Sequence, residues 1–172
     1  LRVLQQPADR FGHLMLVGVG GSGRQSLTRL AAHMEELDFE TIEMQSRYRL
    51  PEWQQDLRTL LRRVGTQRRP TVFFLSDAQV ADAGLREGML EDLSCLLLQA
   101  DFPVTFGEEE TDDILKAMEE VADALMWADR SSRGLWQLFV RQCHLHLRIA
   151  LSMVPLGGSF HARLFRLPSL IN

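Results

Sequence analysis

Nine residues constrain this chain more than any others: Gly18, Val19, Gly20, Gly21, Ser22, Gly23, Arg24, Gln25 and Ser26. Before them stands a short apolar run, residues 13–17, that reads as a buried strand. After them, over residues 24–36, Leu27, Leu30, Ala31 and Met34 recur at helical spacing. A strand that turns through glycines straight into a helix is suited to phosphate. Small residues let several backbone N–H groups converge on one oxyanion, and the helix N-terminus adds its partial positive charge. The alternative is a tight strand-to-helix turn that holds nothing.

The usual form of such a loop is Gly, four residues, Gly-Lys, then Ser or Thr. Gly18 and Gly23 fit it, while Arg24 replaces the lysine and Gln25 the hydroxyl residue. Lysine carries a compact point charge, whereas arginine is a larger planar fork. Gln25 brings an amide where the hydroxyl would meet Mg²⁺, and Ser26 points about 100° further round the helix. The backbone cradle survives both changes. Binding is therefore expected to persist while the catalytic geometry is damaged. A looser dinucleotide reading of Gly18, Gly20 and Gly23 lacks an acidic end to its second strand, where Glu43 is followed by Met44 and Gln45.

Downstream, short apolar runs alternate with helix-period stretches, the pattern of an α/β parallel sheet with crossover helices. Residues 40–44 read as a weak second strand. Pro51 opens a helix that turns Trp53, Leu57, Leu60, Leu61 and Val64 inward, and Gly65 is expected to stop it. Thr-Val-Phe-Phe-Leu-Ser at 71–76 is the clearest strand. Helices follow at 90–98, 111–127 and 135–145, with a loop at 102–107 between the first two. A last strand over 147–152 leads to Met153, Val154 and Pro155, then to Gly157, Gly158 and a short helix at 160–165.

The strand at 71–76 delivers Asp77 at its C-terminal end, where an aspartate can hold Mg²⁺ through water. A turn or helix cap is the other reading of Asp77. The next position, where many ATPases place a glutamate to activate water, is Ala78, followed by Gln79. The 172 residues make one domain with a sizeable core, and a net charge of −4 argues against a generally basic nucleic-acid binder. Two cysteines build no disulfide framework, so a reducing compartment is expected. No apolar run approaches the roughly 18 residues of a membrane span. The chain begins with Leu1, as a piece of a longer one would.

Residues 18–31, Gly-Val-Gly-Gly-Ser-Gly-Arg-Gln-Ser-Leu-Thr-Arg-Leu-Ala, closely resemble the first motif of the fourth AAA+ module of axonemal dynein heavy chains. Tyr48, Glu52-Trp53, Asp56-Leu57, Phe74 to Gln79, Glu91 to Leu93 and Pro168 to Asn172 are similar to that module in the same order. The likeness spans nearly all of residues 1–172. It implies the large subdomain of a P-loop NTPase of the AAA+ class, ending before the last strand and the helical lid. It further implies a regulatory, catalytically weak module that binds ATP or ADP, with Mg²⁺ at Asp77. The implied parent is an ATP-driven, minus-end-directed microtubule motor of the ciliary axoneme. Its partners would be neighbouring modules, microtubules and other dynein chains, not nucleic acid or membrane. The polar sensor of such modules corresponds here to Val154, with Ser152 the only nearby hydroxyl. Two other functions fit the residues: a structural ring segment with an empty pocket, and an active NTPase using Arg24 in lysine's place.

Three other groups carry less. Cys143, His144 and His146 resemble a metal set only in composition, because helix positions two apart face away from each other. Cys143 is expected in the core. Arg62, Arg63, Arg68 and Arg69 form a local basic stretch whose neighbouring aromatics, Trp53 and Phe73, read as core. Arg163 and Arg166 are candidates for reaching the nucleotide of an adjacent module, Arg163 the better of the two, with the solvated surface as the alternative.

Overall fold

The structure, a computed structural model, describes residues 12–44, 47–76, 79–80, 82–97 and 102–155. The chain runs β1 (Leu14–Val17), α1 (Arg24–Met34), β2 (Asp38–Thr41), α2 (Leu50–Gln67), β3 (Thr71–Ser76), α3 (Ala83–Leu97), α4 (Glu108–Ala124), α5 (Ser132–His146) and β4 (Leu147–Met153). The four strands form a parallel sheet in the order β1-β4-β3-β2. The first crossover traverses the sheet from β1 to β2, and the next two return step by step. Right-handed crossovers then place α1 on one face and the later helices on the other. This is the α/β architecture expected, consistent with the large subdomain of a P-loop protein.

Alternation along the strands divides the core accordingly. Val72, Phe74 and Ala150 meet Ala31 and Ala32 of α1. Phe73, Leu75, Ile149, Leu151 and Met153 face a much larger cluster with Trp53, Leu57, Met89, Leu138 and Phe139. Because β3 is buried on both faces, its central residues Val72, Phe73, Phe74 and Leu75 form an unbroken apolar run. Its neighbour β2 runs Asp38–Thr41 rather than 40–44: the Asp38 N–H donates to the Pro70 carbonyl at 2.9 Å, and Asp38 lies opposite Thr71. Pairing with β3, not local apolarity, decides its position.

The helices also depart from expectation in instructive ways. Gly65 does not stop α2, which continues to Gln67. Instead it lets α5 approach: a Cβ there would collide with the Phe139 ring and come within 2.7 Å of Cys143 Sγ. Cys143 is buried, with its thiol against the Leu61 carbonyl. Burial pushes that thiol's pKa up. The helix expected from residue 90 begins at Ala83, where Asp82 Oδ1 accepts the Leu85 N–H at 2.7 Å. The acids 108–110 lie inside the first turn of α4, with Glu110 accepting the Gly107 N–H at 3.0 Å. That helix ends at Ala124, so Trp127 packs against the core from beyond it.

The largest departure concerns α1. Its buried residues are Thr28, Ala31 and Ala32, whereas Leu27, Leu30 and Met34 are 56%, 55% and 69% exposed. The apolar stripe is real, but it faces away from the sheet. Small residues on the inner side seat α1 closely on the strands, which sets the distance from the glycine turn to the strand ends. At the opposite end of the sheet His13 ties the chain to β4, its Nδ1 accepting the Ile149 N–H at 3.0 Å.

Candidate functional site

The loop after β1 emerges at the C-terminal ends of the strands. The connections from β1 and β3 leave there toward opposite faces, which opens a crevice of the kind that holds ligands in such sheets. A cleft of about 390 Å³ occupies it, lined by Gly20, Gly21, Ser22, Gly23, Arg24, Gln25 and Ser26 from the turn and by Phe74, Ser76, Gln79 and Ser152 from the strand side.

The turn is pinned at both ends. The Gly18 N–H donates to the Met153 carbonyl at 3.1 Å, extending the β1–β4 pairing by one residue, and the Leu27 N–H donates to the Gly23 carbonyl at 2.9 Å. Between these points Gly21 and Gly23 adopt left-handed backbone, with φ of 76° and 72°. Side chains disfavour that conformation, so the glycines are required by the path of the chain. A Cβ on Gly20, Gly21 or Gly23 would meet nothing within 4 Å, so the cradle is open rather than packed. Gly23 caps α1 without a side-chain acceptor, and the first turn of α1 holds no acid. The leading amides of α1 thus keep their positive end available to an anion.

Arg24 folds back across this turn. Its Nε–H donates to Ser152 Oγ at 2.8 Å, and its Nη1 lies 2.5 Å from where a Gly18 Cβ would stand. Nη1 is buried and has no hydrogen-bond partner among the described residues. Arg24 is also the sole charged side chain among the described lining residues. Ser152 lies opposite both Leu16 and Ser76 in the register, so two hydroxyl-bearing residues stand side by side at the strand ends. The residues present suit a phosphate: a cation with an unused donor, an uncapped helix start and a turn clear of side chains.

Among the positions singled out from sequence, 20–26 converge on the cleft. Gly18 lies behind it under the arginine, and Val19 is absent from the lining and 64% exposed. Asp77, Ala78, Arg163 and Arg166 lie outside the described residues. Ser76, Gln79 and the Arg24–Ser152 bond were not anticipated. The period-2 pattern from Phe74 could have placed Ser76 on the same face, but only the register brings Ser152 beside it. The basic stretch pairs with carboxylates instead of forming a patch: Arg62 with Asp113 at 3.1 Å, Arg63 with Glu40 at 2.8 Å and Arg69 with Asp38 at 3.5 Å. A second cleft of about 300 Å³ between β2 and α2 presents Glu40, Glu43 and Asp56 against Arg63, which pairs with Glu40, so its lining is net acidic. Among the described residues no His, Cys, Asp and Glu group of three or more could hold a metal, and no helix is long and apolar enough to cross a membrane.

Comparison with known proteins adds the following. A family described as P-loop containing dynein motor region D4 matches residues 1–172. The chain is 33% identical over 171 residues to dynein axonemal heavy chain 1 of Mus musculus. It is 35% identical over 171 residues to the dynein-1-beta heavy chain of the flagellar inner arm I1 complex of Chlamydomonas reinhardtii, and 35% over 172 residues to dynein axonemal heavy chain 3 of Homo sapiens. Each alignment covers 99% of this chain and 4% of the relative.

Proposed function

Because the chain belongs to the P-loop dynein motor region D4 family, we propose that it is a nucleotide-binding, catalytically weak module of an axonemal dynein heavy chain. In that role it regulates an ATP-driven, minus-end-directed microtubule motor of the axoneme. Neighbouring AAA+ modules, microtubules and other dynein chains are the partners of the whole motor.

The observation that carries the binding reading is the open cradle at 20–26 with Arg24 drawn over it and Nη1 unused. Gly20, Gly21, Ser22 and Gly23 would hold the phosphates through the backbone, and Arg24 and the start of α1 would supply the positive charge. Asp77 is the residue proposed for Mg²⁺, with the Gln25 amide in the place of the usual hydroxyl. The ion would neutralise phosphate charge; the chain itself orients and encloses the nucleotide.

Catalytic weakness is supported by the sequence: Ala78 stands where many ATPases place a glutamate to activate water, and Gln25 replaces the hydroxyl residue. A positioned general base is typically worth about 10²–10⁴-fold. Placing glutamate at Ala78 alone is not expected to restore turnover, because Gln25 still withholds the hydroxyl.

Titration of the chain with ADP and ATP tests the reading. Gly23→Val should abolish binding, since φ of 72° strains a β-branched residue. If that variant binds like the parent, the turn is not the site, and a structural segment with an empty pocket becomes the better description. Phosphate release matching the motor's main site would instead establish an active NTPase. The proposed contact with an adjacent module is tested in the whole motor: Arg163→Ala, and secondarily Arg166→Ala, should slow turnover at the preceding module only.

A further inference from the structure

We propose that Ser152 is a positioning residue for Arg24. Together with the bare Gly18, it sets the guanidinium so that the site distinguishes a nucleoside diphosphate from a monophosphate. This rests on the nucleotide-binding reading above.

The geometry begins with what an arginine can do that a lysine cannot. A lysine ammonium carries its three donors on a single nitrogen at the end of a flexible stem, so binding one partner does not fix the direction of the others. Arginine has a secondary Nε–H and two terminal nitrogens in one rigid plane, so fixing Nε fixes the direction of the others. Here Nε is fixed by Ser152 Oγ at 2.8 Å. Ser152 is 2% exposed and lies in β4 between Leu16 and Ser76, so its hydroxyl is held by the sheet rather than by a loop. The other side of the guanidinium passes so close to Gly18 that a Cβ there would stand 2.5 Å from Nη1. Nη1, between these two restraints, has no partner among the described residues. A buried cationic donor without an acceptor is costly, and an anionic oxygen at the mouth of the turn would satisfy it.

The three residues are far apart in sequence and close in space: Ser152 is 128 positions from Arg24. Their arrangement accounts for how arginine fits a turn shaped for a smaller cation. The Nε bond to Ser152 draws the fork sideways, and the missing side chain at Gly18 leaves room for its far edge. These two restraints hold Nη1 beside the turn without a partner among the described residues, a donor that the second phosphate of a diphosphate would satisfy. A monophosphate seated in the backbone cradle gains little from it.

The test is calorimetric titration of the parent chain, Ser152→Ala, Ser152→Thr, Gly18→Ala and Arg24→Ala with ADP and with AMP. Ser152→Ala should weaken ADP by about tenfold and AMP by less than about twofold, the loss expected when a charge-assisted bond is no longer aimed. Ser152→Thr, which keeps the hydroxyl, should restore the preference. Gly18→Ala should copy Ser152→Ala, because its Cβ displaces the end of a flexible side chain and leaves the fold intact. Ser152→Ala added to Arg24→Ala should cost nothing further, since the serine acts through the arginine. Equal losses for ADP and AMP would reduce Ser152 to a structural role and overturn the inference. Tighter ADP binding by Ser152→Ala would also overturn it, marking the bond as a latch that opposes entry. If the parent binds ADP and Ser152→Ala binds it unchanged, the inference fails alone. If the parent binds no nucleotide, the reading of the site fails with it.

Discussion

The two faces of the sheet are built on different terms. On one, α2, α3 and α5 press Trp53, Leu57, Met89 and Phe139 into a continuous core, reinforced by the rings of Phe102, Phe106, Trp136 and Phe139 with centroids 5.3–6.2 Å apart. On the other, α1 alone among the described helices meets the strands, through Ala31, Ala32 and Thr28. The first face contributes most of the stability that apolar burial supplies. The second is thin because the turn that leads into α1 must lie against the strand ends, where Arg24 can reach Ser152. Bulk on the inner side of α1 would lift the turn away. The bulk of the core and the proposed binding cleft thus belong to opposite faces of one sheet.

That division can be broken most directly from the thick face. Phe139→Ala removes a fully buried ring at the centre of the aromatic cluster and should cost about 3–5 kcal/mol in urea denaturation. A cost under about 1 kcal/mol would show that the thick face does not carry the fold.

Acidification acts on the same scaffold without touching the cleft. His13 is half-buried, and burial foremost, with the charges of His144 and Arg148, pulls its pKa from 6.5 to about 4. Its neutral Nδ1 is needed to accept the Ile149 N–H. As pH falls below 6.5 the unfolded chain takes up the proton and the folded one does not. Stability is therefore complete above pH 6.5 and declines as pH drops to about 4, by about 3 kcal/mol from this group. His13→Gln keeps an acceptor without titrating and should flatten that part of the profile. An unchanged profile would assign the acid lability to other groups, among them His144 and His146, whose pKa values burial also lowers.

Gly65→Ala sharpens the comparison by adding rather than removing atoms. The new Cβ collides with Phe139, and α2 and α5 must separate, at a cost of about 1–3 kcal/mol despite alanine's better helix propensity. Gain of stability would mean that the two helices have slack between them. The smallest effect is expected on the outer side of α1. Leu30→Gln, at a position 55% exposed, should change stability by less than about 0.5 kcal/mol and leave ADP binding alone. A large loss there would mean that the thin face is covered in solution.

Local chemistry explains which features could be read early. The run at 71–76 forms β3 residue for residue, because a strand buried on both faces needs an apolar centre, here Val72 to Leu75. The glycine turn was legible for a similar reason: left-handed backbone at Gly21 and Gly23 admits few other residues. Helical spacing located α1 but not its orientation. Leu27, Leu30 and Met34 form as regular a stripe as any core face, yet the sheet accepts the alanines instead. Periodicity shows that a face is apolar; what covers it depends on the neighbouring element.

The sequence by itself determined the alternation of strands and helices, the position of the glycine turn and the substitutions within it. These are properties of residues close along the chain, where backbone sterics and apolar period act directly. Only the tertiary structure decided that Gly65 is a helix contact and not a stop, that β2 pairs two residues early, and that Ser152 rather than a residue near Arg24 holds the guanidinium. Each of these is a contact between segments distant in sequence. Strand register and helix approach set such contacts, and both follow from how the whole sheet packs.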